Sequence, residues 1–321
     1  MAHETGPTVA QSEPLTKGAT ILVTGATGFI GRRLLAALRE KDYEVAILTR
    51  DPKRARSRFP QAKWVDDWSL RTGLHPVSMV EQCQAIVHLA GENIVARWDE
   101  AKKQAIRQSR LETTQTLVSA IAQAKTKPAV FISASAVGIY GHREEEELTE
   151  ESAPGDDFWA EVCQAWEQEA RAAENYGVRV TCLRIGVVLE RDGGLLGRIL
   201  LPFRCGLGAT FDDGQQWMPW IHREDVVGLI LHVLERHDVA GPINVTAPVP
   251  VRNGEFTRML GQVLGRRAPL TVSAAVLELL FGEFAGVLLA SQCVLPVRAQ
   301  AIGYAFQYAS LEPALRACVS R

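Results

Sequence analysis

Short apolar runs alternate with amphipathic segments along the first two thirds of the chain. Residues 19–24 (ATILVT) are apolar and β-branched, and residues 28–41 then place apolar side chains at helical intervals. The runs have the length of buried parallel strands. Further strands are predicted at 44–49, 85–90, 129–133 and 179–185, and further helices at 99–124 and 158–176. This alternation predicts an α/β fold with a doubly wound parallel sheet.

The pattern changes after Gly186. Glycine and proline crowd residues 193–214, where the alternation weakens, and residues 225–235 and 243–245 are predicted to return to the sheet. Weak alternation rich in glycine is typical of an irregular lobe. We therefore predict a flexible tail (1–18), a main domain and a smaller lobe, the main domain comprising 19–185 and about 226–247, and the lobe about 186–225 and 248–321.

The longest apolar region, residues 272–290, contains Glu278 and Glu283. A charged side chain near a bilayer centre is costly, so this region predicts a buried or interface helix pair rather than a membrane span. Residues 1–17 lack the apolar core of a secretory signal. The expected location is the cytoplasm, or an organelle matrix or stroma if a transit peptide has been removed.

Composition narrows the function classes. The 35 Lys and Arg residues against 37 Asp and Glu residues give a net charge of −2, which excludes binding to nucleic acid through bulk charge. The 47% apolar and 22% charged residues are those of a globular protein. Six cysteines occur without a CxxC spacing, so they predict reduced thiols and no metal site.

A glycine-rich turn carries the strongest chemical signal. The segment GATGFIG follows the first predicted strand and opens the first predicted helix. In such a turn, the first glycine permits the sharp bend, the second admits a pyrophosphate, and the third allows close packing. The helix N-terminus then offers free N–H groups to the anion. The residues predicted to hold the dinucleotide here are Gly25, Thr27, Gly28, Phe29, Ile30 and Gly31.

The end of the second strand indicates which dinucleotide binds. An NAD site usually has an acidic residue there, whereas this chain has Thr49 and Arg50, followed by Lys53 and Arg54. A guanidinium binds a 2′-phosphate that a carboxylate would repel. NADP(H) is therefore the predicted cofactor. The alternative is a solvated basic loop.

Several motifs resemble those of the extended short-chain dehydrogenases/reductases, which include sugar-nucleotide epimerases. The more general ones are GATGFIG, HLAGENI (88–94) and SASAVGIYG (133–141). A narrower resemblance, to the epimerase-like atypical subgroup, rests on AGENI…RW (90–98), SRLETT (109–114), GQQWMPWIHREDV (214–226) and LGRRAP (264–269). Members of this subgroup are labelled nucleoside-diphosphate-sugar epimerase or SulA-like cell-division inhibitor. The resemblance implies a Rossmann domain with NADP in its groove, beneath a small C-terminal lobe.

Further cofactor contacts follow from the resemblance and from the sheet. Leu89, Ala90 and Gly91 end a strand at the sheet's carboxyl edge, where open α/β sheets bind ligands. Arg110 stands where many extended members have asparagine, and it is predicted to reach a cofactor phosphate or ribose or, alternatively, to form a surface salt bridge. The remaining residues predicted to contact the cofactor are Ser133 and Val187.

The catalytic pattern departs from that of the family. Ser135 matches the family's serine, but aligning Glu167 with the acidic residue that follows Tyr-x-x-x-Lys places Trp159 at the tyrosine and Cys163 at the lysine. An indole is no general acid, and a neutral thiol carries no charge. Either another residue acts as the acid or base, or there is no turnover, or the register differs. Substitute candidates are Tyr140, Cys163 and His222, each of which also has a structural interpretation.

Two functions fit this sequence. The first is an NADP(H)-binding, epimerase-like oxidoreductase acting on an unidentified small molecule. The second is a non-catalytic NADP-binding regulatory or scaffold protein, for example one linked to cell or organelle division. The glycine turn fits both, and the missing Tyr/Lys pair favours the second.

Overall fold

The computed structural model describes residues 15–68 and 76–320. Most of the predicted tail lies outside these residues. The prediction is wrong for its described end, since Leu15 packs against the main core and the Gly18 N–H donates to the Asp42 carbonyl at 2.8 Å.

Short strands and helices follow one another along the described chain. The strands are β1 (Thr20–Thr24), β2 (Glu44–Thr49), β3 (Trp64–Asp67), β4 (Ala85–His88), β5 (Val130–Ala136), β6 (Glu147–Leu148), β7 (Arg179–Ile185), β8 (Val187–Glu190), β9 (Gly193–Gly194), β10 (Ala209–Phe211), β11 (Trp217–Met218), β12 (Trp220–His222), β13 (Gly241–Val245), β14 (Val251–Arg252), β15 (Leu270–Val272) and β16 (Cys293–Val294). The helices are α1 (Phe29–Glu40), α2 (Pro52–Arg58), α3 (Val77–Glu81), α4 (Glu100–Gln123), α5 (Phe158–Arg171), α6 (Leu196–Arg204), α7 (Arg223–Glu235), α8 (Asn253–Leu264), α9 (Ala274–Phe281), α10 (Phe284–Leu289), α11 (Val297–Ala301) and α12 (Leu311–Val319).

The main sheet of the described residues is parallel and has seven strands in the order β13-β7-β5-β4-β1-β2-β3. Apolar side chains of α1 and α7 pack on one face, and those of α4 and α5 on the other. The predicted doubly wound sheet is therefore confirmed. From β1 the chain builds outward to β2 and β3, and β4 then continues on the other side of β1. Ligands of such sheets bind at this reversal, outside the carboxyl ends of the strands.

Some predicted bounds are wrong. Strand β5 continues three residues beyond 133, because Ser135 pairs with Arg184 of β7 although its side chain is polar. Strand β4 ends at His88, and the Ala90 N–H instead donates to the Thr24 hydroxyl. Residues 225–235 form part of helix α7 rather than of the sheet, whereas 243–245 lie in β13 as predicted.

A separate apolar cluster forms the smaller lobe. It joins side chains of β8, α6, α8 and α12. The lobe does not take all of 248–321, since Ala299 of α11 is buried in the main core. Residues 272–290 do form two helices, α9 and α10: Phe284 is buried, but Leu279 is 72% exposed. No helix within the described ranges is long and apolar enough to cross a membrane.

Candidate cofactor groove

A cavity of about 940 Å³ opens outside the carboxyl ends of β1, β2 and β4. Residues from five separate parts of the chain meet there. The predicted residues that line it are Gly25, Thr27, Gly28, Thr49, Arg50, Leu89, Ala90 and Gly91. The lining residues that sequence reasoning missed are Leu48, Asp67, Trp68, Glu92, Ala105, Gln108, Ser109, Glu112 and Thr113.

The three glycines of the turn differ in their surroundings. Gly25 has φ +68°, and a Cβ there would lie 2.7 Å from the Leu89 carbonyl carbon. A Cβ on Gly31 would lie 2.3 Å from the Gly25 oxygen. Gly28, by contrast, is exposed at the groove and caps α1 without a side chain. Gly25 and Gly31 thus shape the turn, while Gly28 leaves the free N–H groups of the helix open to an anion.

Six of the residues predicted to contact the cofactor do not line the groove: Phe29, Ile30, Gly31, Ser133, Val187 and Arg110, the last of which is described below. The Phe29 ring packs on β9, where a Cβ on Gly193 would lie 2.4 Å from it. Ile30 packs against the main core. Ser133 is buried beside β4, and Val187 opens β8 with its N–H donating to the Pro219 carbonyl at 2.6 Å. Gly31 lies beneath the turn, as described above.

The far end of the groove presents a cation. Arg50 follows β2 and is exposed on the groove wall. The neighbouring Asp51 carboxylate caps α2, where it accepts the Arg54 N–H at 3.0 Å. The Asp51 carboxylate is therefore hydrogen-bonded at the start of α2.

Arg110 lies behind the groove wall. It is only 7% exposed, and it donates to the carbonyls of Glu92 and Ile106 at 3.2 and 3.1 Å. Its guanidinium carbon lies 4.9 Å from the ring centroid of Trp159 and 5.1 Å from that of Trp166. Burial lowers the pKa of Arg110 to about 10. The alternative of a surface salt bridge is wrong, because no carboxylate pairs with this guanidinium among the described residues.

Ser135 belongs to a buried polar network rather than to the groove lining. Its hydroxyl donates to Glu167 at 2.7 Å, and both carboxylate oxygens of Glu167 also accept from Arg184 at 2.9 Å. The Tyr140 hydroxyl accepts from Arg184 and donates to Asn244. Burial raises the pKa of Tyr140.

His222 lies in a different cluster from Ser135. Its Nδ1 accepts the Glu224 N–H at 3.2 Å at the start of α7, and its ring centroid lies 4.0 Å from that of Tyr308. The structure therefore does not bring the two predicted catalytic side chains together at the groove.

The two α5 residues that the sequence alignment sets at the family's tyrosine and lysine positions, Trp159 and Cys163, are both buried. Trp159 lies so close to Gly138 that a Cβ there would be 2.0 Å from the indole. Cys163 is fully buried, and desolvation raises the pKa of its thiol. The thiol is therefore neutral at physiological pH. No cluster of three potential metal ligands occurs within the described ranges.

His88 lies behind the groove wall and is linked to it by hydrogen bonds. Its Nδ1 lies 2.6 Å from the Thr24 hydroxyl, which accepts the Ala90 N–H at 3.2 Å. Nε2 lies 3.2 Å from the Thr114 hydroxyl. Complete burial lowers the pKa of His88 to about 3. His88 is the first residue of the HLAGENI motif, but only the fold shows that its ring is buried and neutral.

His88 should make the protein less stable in mild acid. Its pKa is lowered in the folded state, so below about pH 6.5 the unfolded chain binds a proton that the folded chain does not. The free energy of unfolding should therefore fall by about 1.4 kcal/mol per pH unit from this group. When urea unfolding is measured between pH 7 and pH 5, the free energy of unfolding should fall less steeply for His88→Asn than for wild type. Equal slopes in the two proteins would contradict the neutral, buried state.

The sheet order, the glycine turn and the groove over the switch point define a Rossmann-type α/β protein. A model described as the NAD dependent epimerase/dehydratase family matches residues 21–246, and one described as a domain of unknown function matches residues 272–318. The chain belongs to the NAD dependent epimerase/dehydratase family.

Curated relatives cover nearly the whole chain. It is 43% identical over 300 residues to the chloroplastic epimerase family protein SDR39U1 homolog of Arabidopsis thaliana, covering 93% of this chain and 86% of that protein. It is 38% identical over 305 residues to human epimerase family protein SDR39U1, covering 94% and 99%.

Solved structures share the architecture. The crystal structure of human SDR39U1 (isoform 2) with NADPH superposes with a TM-score of 0.84 at 35% identity, covering 94% of this chain and 99% of that one. UDP-glucose 4-epimerase of Thermotoga maritima, with UDP-glucose, gives 0.76 at 20% identity, covering 94% and 97%. The second likeness concerns the fold alone.

Proposed function

We propose that this protein binds NADP(H) in the groove, with the 2′-phosphate against Arg50. The observation that carries the proposal is the exposed guanidinium at the end of β2, on the same groove wall as the glycine turn. The human relative solved with NADPH supports the choice of cofactor. The groove residues fit the group, because free N–H groups face the pyrophosphate position and a cation faces the phosphate position.

In this proposal each part of the groove binds a different part of the cofactor. The N–H groups after Gly28 bind the pyrophosphate, and Thr49 and Arg50 bind the 2′-phosphate. Leu89, Ala90 and Gly91 would form the wall toward the nicotinamide, which would donate a hydride in its reduced form and accept one in its oxidised form. The smaller lobe lies over the turn, where β9 packs on Phe29.

Titration with NADPH and NADH tests the proposal directly. Trp68 lines the groove, so a bound reduced nicotinamide cofactor should quench tryptophan fluorescence. We expect saturable quenching by NADPH and much weaker binding of NADH. Equal affinity for the two would contradict the role of Arg50.

We further propose that the protein is an epimerase-like oxidoreductase acting on a small molecule. One observation favours a second candidate, a non-catalytic regulatory or scaffold protein. Trp159 and Cys163, which the sequence alignment sets at the positions of the family's tyrosine and lysine, are both buried, and this burial supports a protein that binds NADP(H) without turnover. The chloroplastic Arabidopsis relative supports an organelle stroma as one of the two predicted locations.

NADPH oxidation against a panel of carbonyl compounds and sugar nucleotides separates the two candidates. General acid–base assistance contributes about 10²–10⁴-fold, so without the family pair we expect turnover to be slower by about that factor, or absent. Fast turnover that survives both Ser135→Ala and Cys163→Ala would show that another residue, with His222 next to test, transfers the proton. NADPH binding without oxidation across the panel would support the regulatory or scaffold protein.

A further inference from the structure

One buried cation of the fold has no acidic partner. The guanidinium of Arg110 bonds only to main-chain carbonyls, and its Nε has no hydrogen-bond partner among the described residues. The nearby Glu92 carboxylate instead pairs with Lys102 at 2.7 Å. Burying an ion that is not paired costs several kcal/mol. Arg179 is also buried and bonded to main-chain carbonyls, so what distinguishes Arg110 is its position.

The position of this cation is specific. A Cβ on Gly91, which lines the groove, would lie 3.3 Å from the guanidinium carbon. On its other side the guanidinium stacks on Trp159, and its charge acts on the Cys163 thiol. The guanidinium thus contacts Trp159 and acts electrostatically on Cys163, the two α5 residues that the sequence alignment sets at the tyrosine and lysine of the resembling enzymes.

The sheet order places Arg110 at one particular half of the groove. Arg50 lies at the end of β2, on one side of β1, and Gly91 follows β4, on the other side. A dinucleotide crosses such a sheet at the switch point. Since the adenosine half lies toward β2, the nicotinamide half lies toward β4 and β5, next to Gly91 and Arg110.

We infer that Arg110 supplies from α4 the positive charge that the resembling enzymes supply from the lysine of α5. The inference rests on the proposed binding of NADP(H). Its consequence is a preference for the reduced cofactor, because the nicotinamide ring is neutral in NADPH and positively charged in NADP⁺. A purely structural arginine would affect both forms equally.

Calorimetric titration of the full chain with NADPH and with NADP⁺ tests the inference. We expect wild type to bind NADPH more tightly than NADP⁺. Arg110→Met should reduce the ratio of the NADP⁺ to the NADPH dissociation constant about tenfold. This is the effect of two charges, the guanidinium and the oxidised nicotinamide ring, roughly 10 Å apart at an effective dielectric constant of about 20. Arg110→Lys should keep most of the preference. Arg107→Gln, which removes an exposed charge from the same helix, should leave the ratio unchanged.

The outcomes separate the inference from the proposed function. If wild type binds neither form, the proposed function is overturned, and the inference with it. If wild type binds both and Arg110→Met weakens both to the same extent, Arg110 only supports the wall and the inference is overturned. If Arg110→Met does not fold by circular dichroism, Arg110→Gln, which keeps donors for the carbonyls, provides the same comparison, and an unchanged ratio there is equally decisive.

Discussion

Replacing Gly28 by valine should abolish NADPH binding while leaving the fold intact. Gly28 is exposed on the groove, and the nearest atom to a Cβ there, the Gly25 oxygen, is 3.0 Å away. A branched side chain would occupy the space where the pyrophosphate approaches the N–H groups of α1. We expect at least a 100-fold loss of affinity, roughly the value of two charge-assisted hydrogen bonds. Fluorescence titration and far-ultraviolet circular dichroism would measure the two effects.

A matched glycine serves as the control. Gly286 of α10 is also exposed, and a Cβ there would meet nothing within 4 Å. Gly286→Val should bind NADPH as wild type does. Unchanged affinity in Gly28→Val would show that the turn has only a structural role.

Replacing Arg50 by glutamate should change the choice between cofactors. The new carboxylate would face the 2′-phosphate, so NADPH affinity should fall by about 100-fold or more, given that a hydrogen-bonded charge pair is replaced by repulsion. NADH has a hydroxyl there, and a carboxylate can accept from it. Its affinity should therefore stay the same or rise. Parallel titrations with both cofactors measure this reversal.

Arg58→Glu is the control for net charge. Arg58 is an exposed residue at the end of α2 and does not line the groove. Arg58→Glu should change the affinity for NADPH and the affinity for NADH by no more than a small long-range effect. If Arg50→Glu weakens the binding of both cofactors equally, Arg50 does not recognise the 2′-phosphate.

The features readable from the sequence are those that depend on neighbouring residues. The run at 44–49 matches β2 at both ends, because a strand buried on both faces needs a continuous apolar run. The run at 179–185 also matches β7 at both ends, although it includes Arg179 and Arg184. The glycine turn and Arg50 were likewise found from short motifs. Each combines a strand end with the residues directly after it, so chain order alone brings the chemistry to one edge of the sheet.

Strand β3 and the end of β5 were missed for the opposite reason. WVDD and the serines of β5 are too polar to be recognised as buried strands. Their hydrogen bonds come from β2 and β7, which lie elsewhere in the sequence. Once backbone groups are paired in this way, polar side chains are tolerated if they find partners, as Ser135 does with Glu167.

The sequence by itself determined the α/β class, the glycine turn and the cation at the end of β2. Only the tertiary structure decided that His88 is neutral, that Ser135 is engaged with Glu167 and that Arg110 is a buried cation behind Gly91. The partners that decide this lie far away in the chain: Thr24 is 64 positions from His88, Glu167 is 32 from Ser135, and the Glu92 carbonyl is 18 from Arg110. Such contacts form only when helices α4 and α5 pack on the sheet, and no local pattern of residue types encodes them.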